Sequence, residues 1–445
     1  MQERRSVLIS LVLVIFAIVT PSFAANHYIR SGAGGNGSGS DWTNACTGFS
    51  GSCAVASLVR GDVYYMAAGS YAGVDFNKAV SGTTLITIKK ATAADHGVAT
   101  GWLGSYATGA ATFTGQVNFG TSNWLMDGQT GGGPGSSTSW TTGFGISISV
   151  TGTSPALRTD QVDNITVRHI QITGNQNSNG GGSIAQDGVA LYGATNFTLS
   201  YYYINNMGRC PFFLSTQNFI AEYGYTGVFV STSAAHAELA SIWGFAIGSN
   251  GVTFRYNLFT HAEGTGGIIF DNQENPTGAG MKVYGNVFYK PANDPRPWQI
   301  NNGLIGGWTG GGGEQFHNVQ VYNNSFVNTT TADGNSPLTN FPNIFSGNVA
   351  YNNLFYNSNA VDYSRFSTNG FNTVASTNPF TDIANLDFRL LTDTAAGTTL
   401  ASPYNLDPLG VIRGSSGIWD RGAFQFGSSV ASNPLAPTGL SASVQ

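Results

Sequence analysis

Asn318-Val-Gln-Val-Tyr-Asn-Asn-Ser-Phe326 is one copy of a nine-residue pattern that returns along the middle of the chain. Other copies are Asn164-Ile-Thr-Val-Arg-His-Ile-Gln-Ile172, Asn196-Phe-Thr-Leu-Ser-Tyr-Tyr-Tyr-Ile204 and Gly251-Val-Thr-Phe-Arg-Tyr-Asn-Leu-Phe259. Gly280-Met-Lys-Val-Tyr-Gly-Asn-Val-Phe288 and Gly347-Asn-Val-Ala-Tyr-Asn-Asn-Leu-Phe355 follow, and a weaker copy begins at Asn218. The second and fourth residues are usually apolar and the third polar, the alternation of a strand with one face turned inward. The starts lie 32, 22, 33, 29, 38 and 29 residues apart, about one solenoid coil plus loops of variable length.

The seventh residue is Asn257, Asn286, Asn324 and Asn353 in four copies. Stacked coils set equivalent residues one above another at about 4.8 Å, where side-chain amides hydrogen-bond along the stack, so an asparagine ladder is expected. A second series of short strands falls between the copies: Val189–Tyr192, Glu238–Trp243, Gly267–Phe270 and Gly303–Ile305. Two strand series per coil predict an all-β, right-handed parallel β-helix. A membrane barrel gains nothing from Asn at a fixed repeat position. Propeller blades need longer intervals.

Composition agrees. Of 445 residues 60 are Gly, 12% are aromatic and only 9% are charged, too few charges for helical surfaces. The net charge of -5 and the lack of any basic cluster argue against nucleic acid as a partner. The aromatic content supplies too much apolar area for a disordered chain.

Arg4 and Arg5 precede an apolar run from Leu8 to Val19, and Ser22 and Ala24 fit a signal-peptidase site. Residues 1–24 are expected to be a signal peptide, residues 25–427 the β-helix domain, and the mature chain a secreted (extracellular or periplasmic) monomer without membrane insertion. An oxidising compartment favours a local disulfide between Cys46 and Cys53, leaving Cys210 as a buried thiol. Residues 428–445 read as a linker and the first strand of a truncated fibronectin type III-like domain.

These residues carry a resemblance: the repeated strand and turn, the opening His27-Tyr-Ile-Arg-Ser-Gly32, Gly61 to Tyr71, Leu85 to Lys90, and the closing Asp420-Arg-Gly-Ala-Phe424. The chain resembles right-handed parallel β-helix proteins of the pectin-lyase-like superfamily. The resemblance implies a carbohydrate-active protein without fixing its chemistry.

Candidate site residues concentrate between 236 and 274. His236-Ala-Glu238 and His261-Ala-Glu263 repeat one tripeptide 25 residues apart, in a chain with six His. By strand parity His236 and Glu238 share the outer face, as do Thr253 and Arg255, while Asp271 and Glu274 close the next strand and Trp308 lies in a Gly-rich stretch beyond. The bland alternative is a solvated His/Glu pair and ordinary turn residues. Clustering in so poorly charged a chain favours one groove, with His236, Arg255 and His261 catalytic and Glu238, Glu263, Asp271 and Trp308 binding substrate.

The favoured reading is a polysaccharide lyase acting on an acidic, uronate-containing polymer. Arg255 or Ca²⁺ would neutralise the carboxylate, and a His would remove the ring proton. A non-catalytic glycan-binding or adhesin helix using Trp308 and Trp298 stays open. So does a glycoside hydrolase with two of Glu238, Glu263 and Asp271.

Overall fold

A computed structural model describes residues 24–135, 137–176, 186–232, 235–243, 247–271, 277–292, 294, 298, 300–307, 315–331, 334–338 and 346–429. The signal segment, the fibronectin-like tail, Glu274 and Trp308 lie outside the described residues.

The chain forms a right-handed parallel β-helix with three strand rows per coil. The first sheet runs from Asn26–Ile29 to Thr368–Gly370 and includes Ile220–Glu222, Thr253–Arg255, Lys282–Tyr284, Gln320–Tyr322 and Val349–Tyr351. The second runs from Gly69–Tyr71 to Thr373–Ala375 through Leu258–Phe259, Val287–Tyr289, Ser325–Val327 and Leu354–Tyr356. The third runs from Val74–Asp75 through Leu157–Asp160, the start of Val189–Asn205, Phe212–Gln217, Glu238–Trp243 and Gly266–Asp271 to Ile305–Gly307. These pairings are parallel. Phe380–Asp382 and Asp387–Leu390, beyond the last coil, pair antiparallel.

The repeat is therefore two short strands around a corner, not one strand ending in a turn. The first and sixth residues of all seven copies are left-handed: Asn164, Asn196, Asn218, Gly251, Gly280, Asn318 and Gly347 begin them, and His169, Tyr201, Tyr223, Tyr256, Gly285, Asn323 and Asn352 turn the corner. A left-handed residue bends the chain sharply between extended segments, which is why Asn and Gly dominate these positions. Bulky residues are held there by stacking. His169–Tyr201, Tyr201–Tyr223 and Tyr223–Tyr256 lie 4.6, 5.1 and 5.2 Å apart in one column.

The expected asparagine ladder forms and extends one rung further, to Asn372. Nδ2 of Asn257, Asn286, Asn324 and Asn353 donates to Oδ1 of the next Asn at 3.0, 3.0, 3.1 and 2.9 Å. The backbone N–H groups of those four donate to the same oxygens. Each amide also reaches a backbone carbonyl, so these buried side chains meet main-chain groups that the corner would otherwise orphan. At the upper end the Tyr202 hydroxyl donates to Asn257 Oδ1 across Gly224, where a Cβ would lie 2.1 Å from the Tyr202 ring. Beside the ladder Phe259, Phe288, Phe326 and Phe355 stack in the core with centroids 5.1, 4.9 and 4.7 Å apart.

One device covers the N-terminal end of the coil and another an outer face. Cys46 and Cys53 are disulfide-bonded as expected, and the loop they close presses Phe49 onto Phe76 and Phe113 at the N-terminal end. Residues 380–426 fold back over the second sheet, burying outward Leu258, Val287, Val327 and Leu354 against Phe380, Phe388, Leu390 and Phe424.

Candidate functional site

Coil register decides which candidate residues meet. Glu238 registers with Gly266, so this coil repeats at 28 residues and the tripeptides spaced by 25 do not stack. His236-Ala-Glu238 enters the third sheet, whereas His261-Ala-Glu263 lies in the corner before the next strand of that sheet. Arg255 is on the first sheet. The single groove expected from parity is not formed: parity tells inside from outside, but not which of three outer faces a residue takes.

Arg255 pairs with Glu222 of the preceding coil, Nε to Oε2 at 2.6 Å, and donates through Nη1 to the Tyr284 hydroxyl at 3.0 Å. Ser200 donates to the other Glu222 oxygen at 2.9 Å. Tyr284 is itself buried and meets Tyr404 of the C-terminal segment edge to face. The network fastens coils and cover together.

His261 is wholly buried. Its Nδ1 lies 2.9 Å from Asp294 Oδ2 and its Nε2 3.3 Å from Glu263 Oε2, while the Trp298 indole donates to Asp294 at 2.8 Å and Ser231 N–H to Glu263 at 2.8 Å. Burial opposes its charge, but the two carboxylates outweigh burial and raise its pKa. Such a clamped imidazole holds loops together. Trp298, expected as an exposed sugar platform, is buried in the same cluster. Asp271 ends a third-sheet strand in register with Trp243.

His236 and Glu238 do sit in an open pocket. It measures about 250 Å³ and is lined by Arg209, Cys210, Phe213, Ala235, His236, Glu238, Ser241 and Trp243. Ala237 and Leu239 enter the core as parity required, and the His236 side chain is 62% exposed while Glu238 is buried. Glu238 Oε1 lies 2.6 Å from His236 Nδ1 and accepts from the Thr265 hydroxyl; Oε2 accepts from the Cys210 thiol at 3.2 Å. Burial, then the Glu238 and Asp187 charges, push the Cys210 pKa well up, so the thiol stays a protonated donor.

Asp187, Cys210 and Glu238 each lie two residues before the registered positions Val189, Phe212 and Ala240, and so form one row up the helix. Asp187 accepts from Arg209 through both carboxylate oxygens, with Nε to Oδ1 at 2.7 Å. Burial raises the Asp187 pKa, and Arg209 opposes the shift. The guanidinium lies 4.3 Å over Phe213, whose ring is 5.8 Å from Trp243. Asp187, Arg209, Phe213 and Trp243 escaped sequence reasoning. The signal was present, since Asp187, Cys210 and Glu238 each stand just before an apolar third-sheet strand.

Among the described residues no group of three or more His, Cys, Asp or Glu is arranged to hold a metal ion. No described helix is long and apolar enough to cross a membrane.

No family model matches the chain, and no curated protein matches it. Among solved structures it is similar to pectate lyase Pel9A, at 15% identity over 91% of this chain and 97% of that one, with a TM-score of 0.49. It is similar also to a rhamnogalacturonan lyase, at 13% identity over 91% and 96% of the two chains and a TM-score of 0.39. A GH136 lacto-N-biosidase from Eubacterium ramulus matches at 10% identity over 79% and 68%, with a TM-score of 0.32.

Proposed function

We propose that the chain is an exported, carbohydrate-active β-helix protein that cleaves an acidic polysaccharide by β-elimination in the third-sheet pocket. The observation carrying this reading is the His236–Glu238 dyad: an exposed imidazole whose Nδ1 is held by a buried carboxylate that itself has two further donors. A carboxylate on Nδ1 fixes the tautomer and raises the basicity of Nε2, the atom that would take the proton alpha to the uronate carboxylate. Arg209 spends Nε and Nη2 on Asp187, which fixes its plane and leaves Nη1 for the substrate carboxylate. That donor would stabilise the charge developing as the proton leaves; the electron pair left on that carbon then forms a double bond as the bond to the glycosidic oxygen breaks, and that oxygen takes a proton from solvent, giving a hydroxyl on one fragment and an unsaturated sugar end on the other. Export fits the disulfide.

A hydrolase is the second reading, because Asp187 and Glu238 are buried carboxylates on either side of Cys210. Products separate the readings. Incubation with polyuronates should release ultraviolet-absorbing unsaturated ends, and Glu238→Gln should slow that release at least 100-fold while substrate binding persists. New reducing ends without unsaturation would favour the hydrolase, and neither product would leave a binding module.

A further inference from the structure

Three aromatic side chains stand outward on consecutive strands of the third sheet. Tyr192, Phe213 and Trp243 lie on paired strands, with ring centroids 5.9 and 5.8 Å apart, and each is half-buried. Outward apolar residues of the second sheet are covered by the C-terminal segment, whereas Phe213 and Trp243 line the open pocket. Two guanidinium groups lie against the same row: Arg158 5.1 Å over Tyr192, and Arg209 4.3 Å over Phe213. The surface is thus a strip of rings and cations, one ring per coil, ending at His236.

We propose that Tyr192, Phe213 and Trp243 are successive binding subsites for an anionic polysaccharide lying along the helix axis, with its chain entering over Arg158 and ending at the His236 pocket. The proposal rests on the reading of that pocket as the reactive end. Coils repeat at about the spacing of strands in a sheet, so an extended polymer placed along the axis passes one platform per coil; Tyr192 and Trp243 fall in the Ser215 row and Phe213 two residues to the side of it, so the rings meet the polymer from alternating edges of its path. The C–H faces of sugar rings pack on aromatic rings, and carboxylates meet the edges of Arg158 and Arg209. Both guanidinium groups are held in place by carboxylates, Arg158 Nη2 by Asp160 Oδ2 at 3.0 Å and Arg209 Nε by Asp187 Oδ1 at 2.7 Å.

The test is calorimetric titration of His236→Ala protein, in which turnover should be slow enough for binding to be read alone, with oligogalacturonates from dimer to octamer and with a neutral cello-oligomer as control. Affinity should rise with length, and Tyr192→Ala in this background should weaken octamer binding roughly three- to tenfold while leaving the dimer unchanged. Tyr192→Phe should keep octamer binding, because the ring is retained. An octamer bound equally with and without the Tyr192 ring, no binding of any uronate oligomer, or equal binding of the neutral oligomer would each overturn the proposal. Failure of the elimination reading looks different: length-dependent uronate binding by the native protein with no unsaturated product.

Discussion

Two carboxylate–guanidinium pairs on this solenoid match in burial and differ in what surrounds them. Glu222 and Arg255 on the first sheet have side chains 4% and 27% exposed; Asp187 and Arg209 beside the third have 5% and 26%. Above Arg255 lies Tyr284, itself under Tyr404, so the pair ends in a wall of aromatic cover. Above Arg209 lie Phe213 and an open pocket shared with His236. Burial of a charge pair therefore does not mark a site. The groups lying over it decide whether a ligand could reach it.

The sharpest way to break this contrast is to remove His236. His236→Ala should lower turnover of a polyuronate by roughly 10²–10⁴-fold, the usual contribution of a general base, with stability changed by less than about 0.5 kcal/mol because the side chain is exposed. Initial rates beside a melting curve check both halves, and retained turnover would move the chemistry out of this pocket.

The asparagine ladder gives the opposite signature. Asn324→Ala removes a buried side chain that serves Asn286 N–H, Asn286 Nδ2, Val283 C=O and Asn353 Oδ1. Orphaned buried groups put the loss at about 3–5 kcal/mol in denaturant unfolding, with turnover per folded molecule unchanged.

Arg255→Ala tests the covered pair. It leaves Glu222 buried with only Ser200, so unfolding free energy should fall by about 2–3 kcal/mol, less than for a fully buried pair because Arg255 is partly exposed. Turnover should hold within about a factor of two. A drop in turnover as large as that of His236→Ala would mean that the first sheet carries the reactive groove. Opening the Cys46–Cys53 loop with a double Ser substitution should have the smallest effect, about 2 kcal/mol for so short a loop, read as a lowered melting temperature with the pocket intact.

The sequence by itself determined the parallel coil, the ladder and the disulfide. Each rests on a local rule: strand alternation for the coil, the identity of residues that stack on their own equivalents for the ladder, and two nearby cysteines in a chain read as exported for the disulfide. Parity also placed Ala237, Leu239, Val252 and Phe254 inward, where they lie. Tertiary structure alone decided the site. Loop lengths differ from coil to coil, so 25 residues separate His236 from His261 while register demands 28; that difference of three sent His261 and Glu263 into a buried clamp. Arg255 points outward as parity predicts, but toward another of the three faces, beneath a segment more than a hundred residues away in sequence. Arg209 and Asp187 came together because coils one strand apart bring distant residues within hydrogen-bonding reach, a closeness set by the stacking of coils and the lengths of the loops between them.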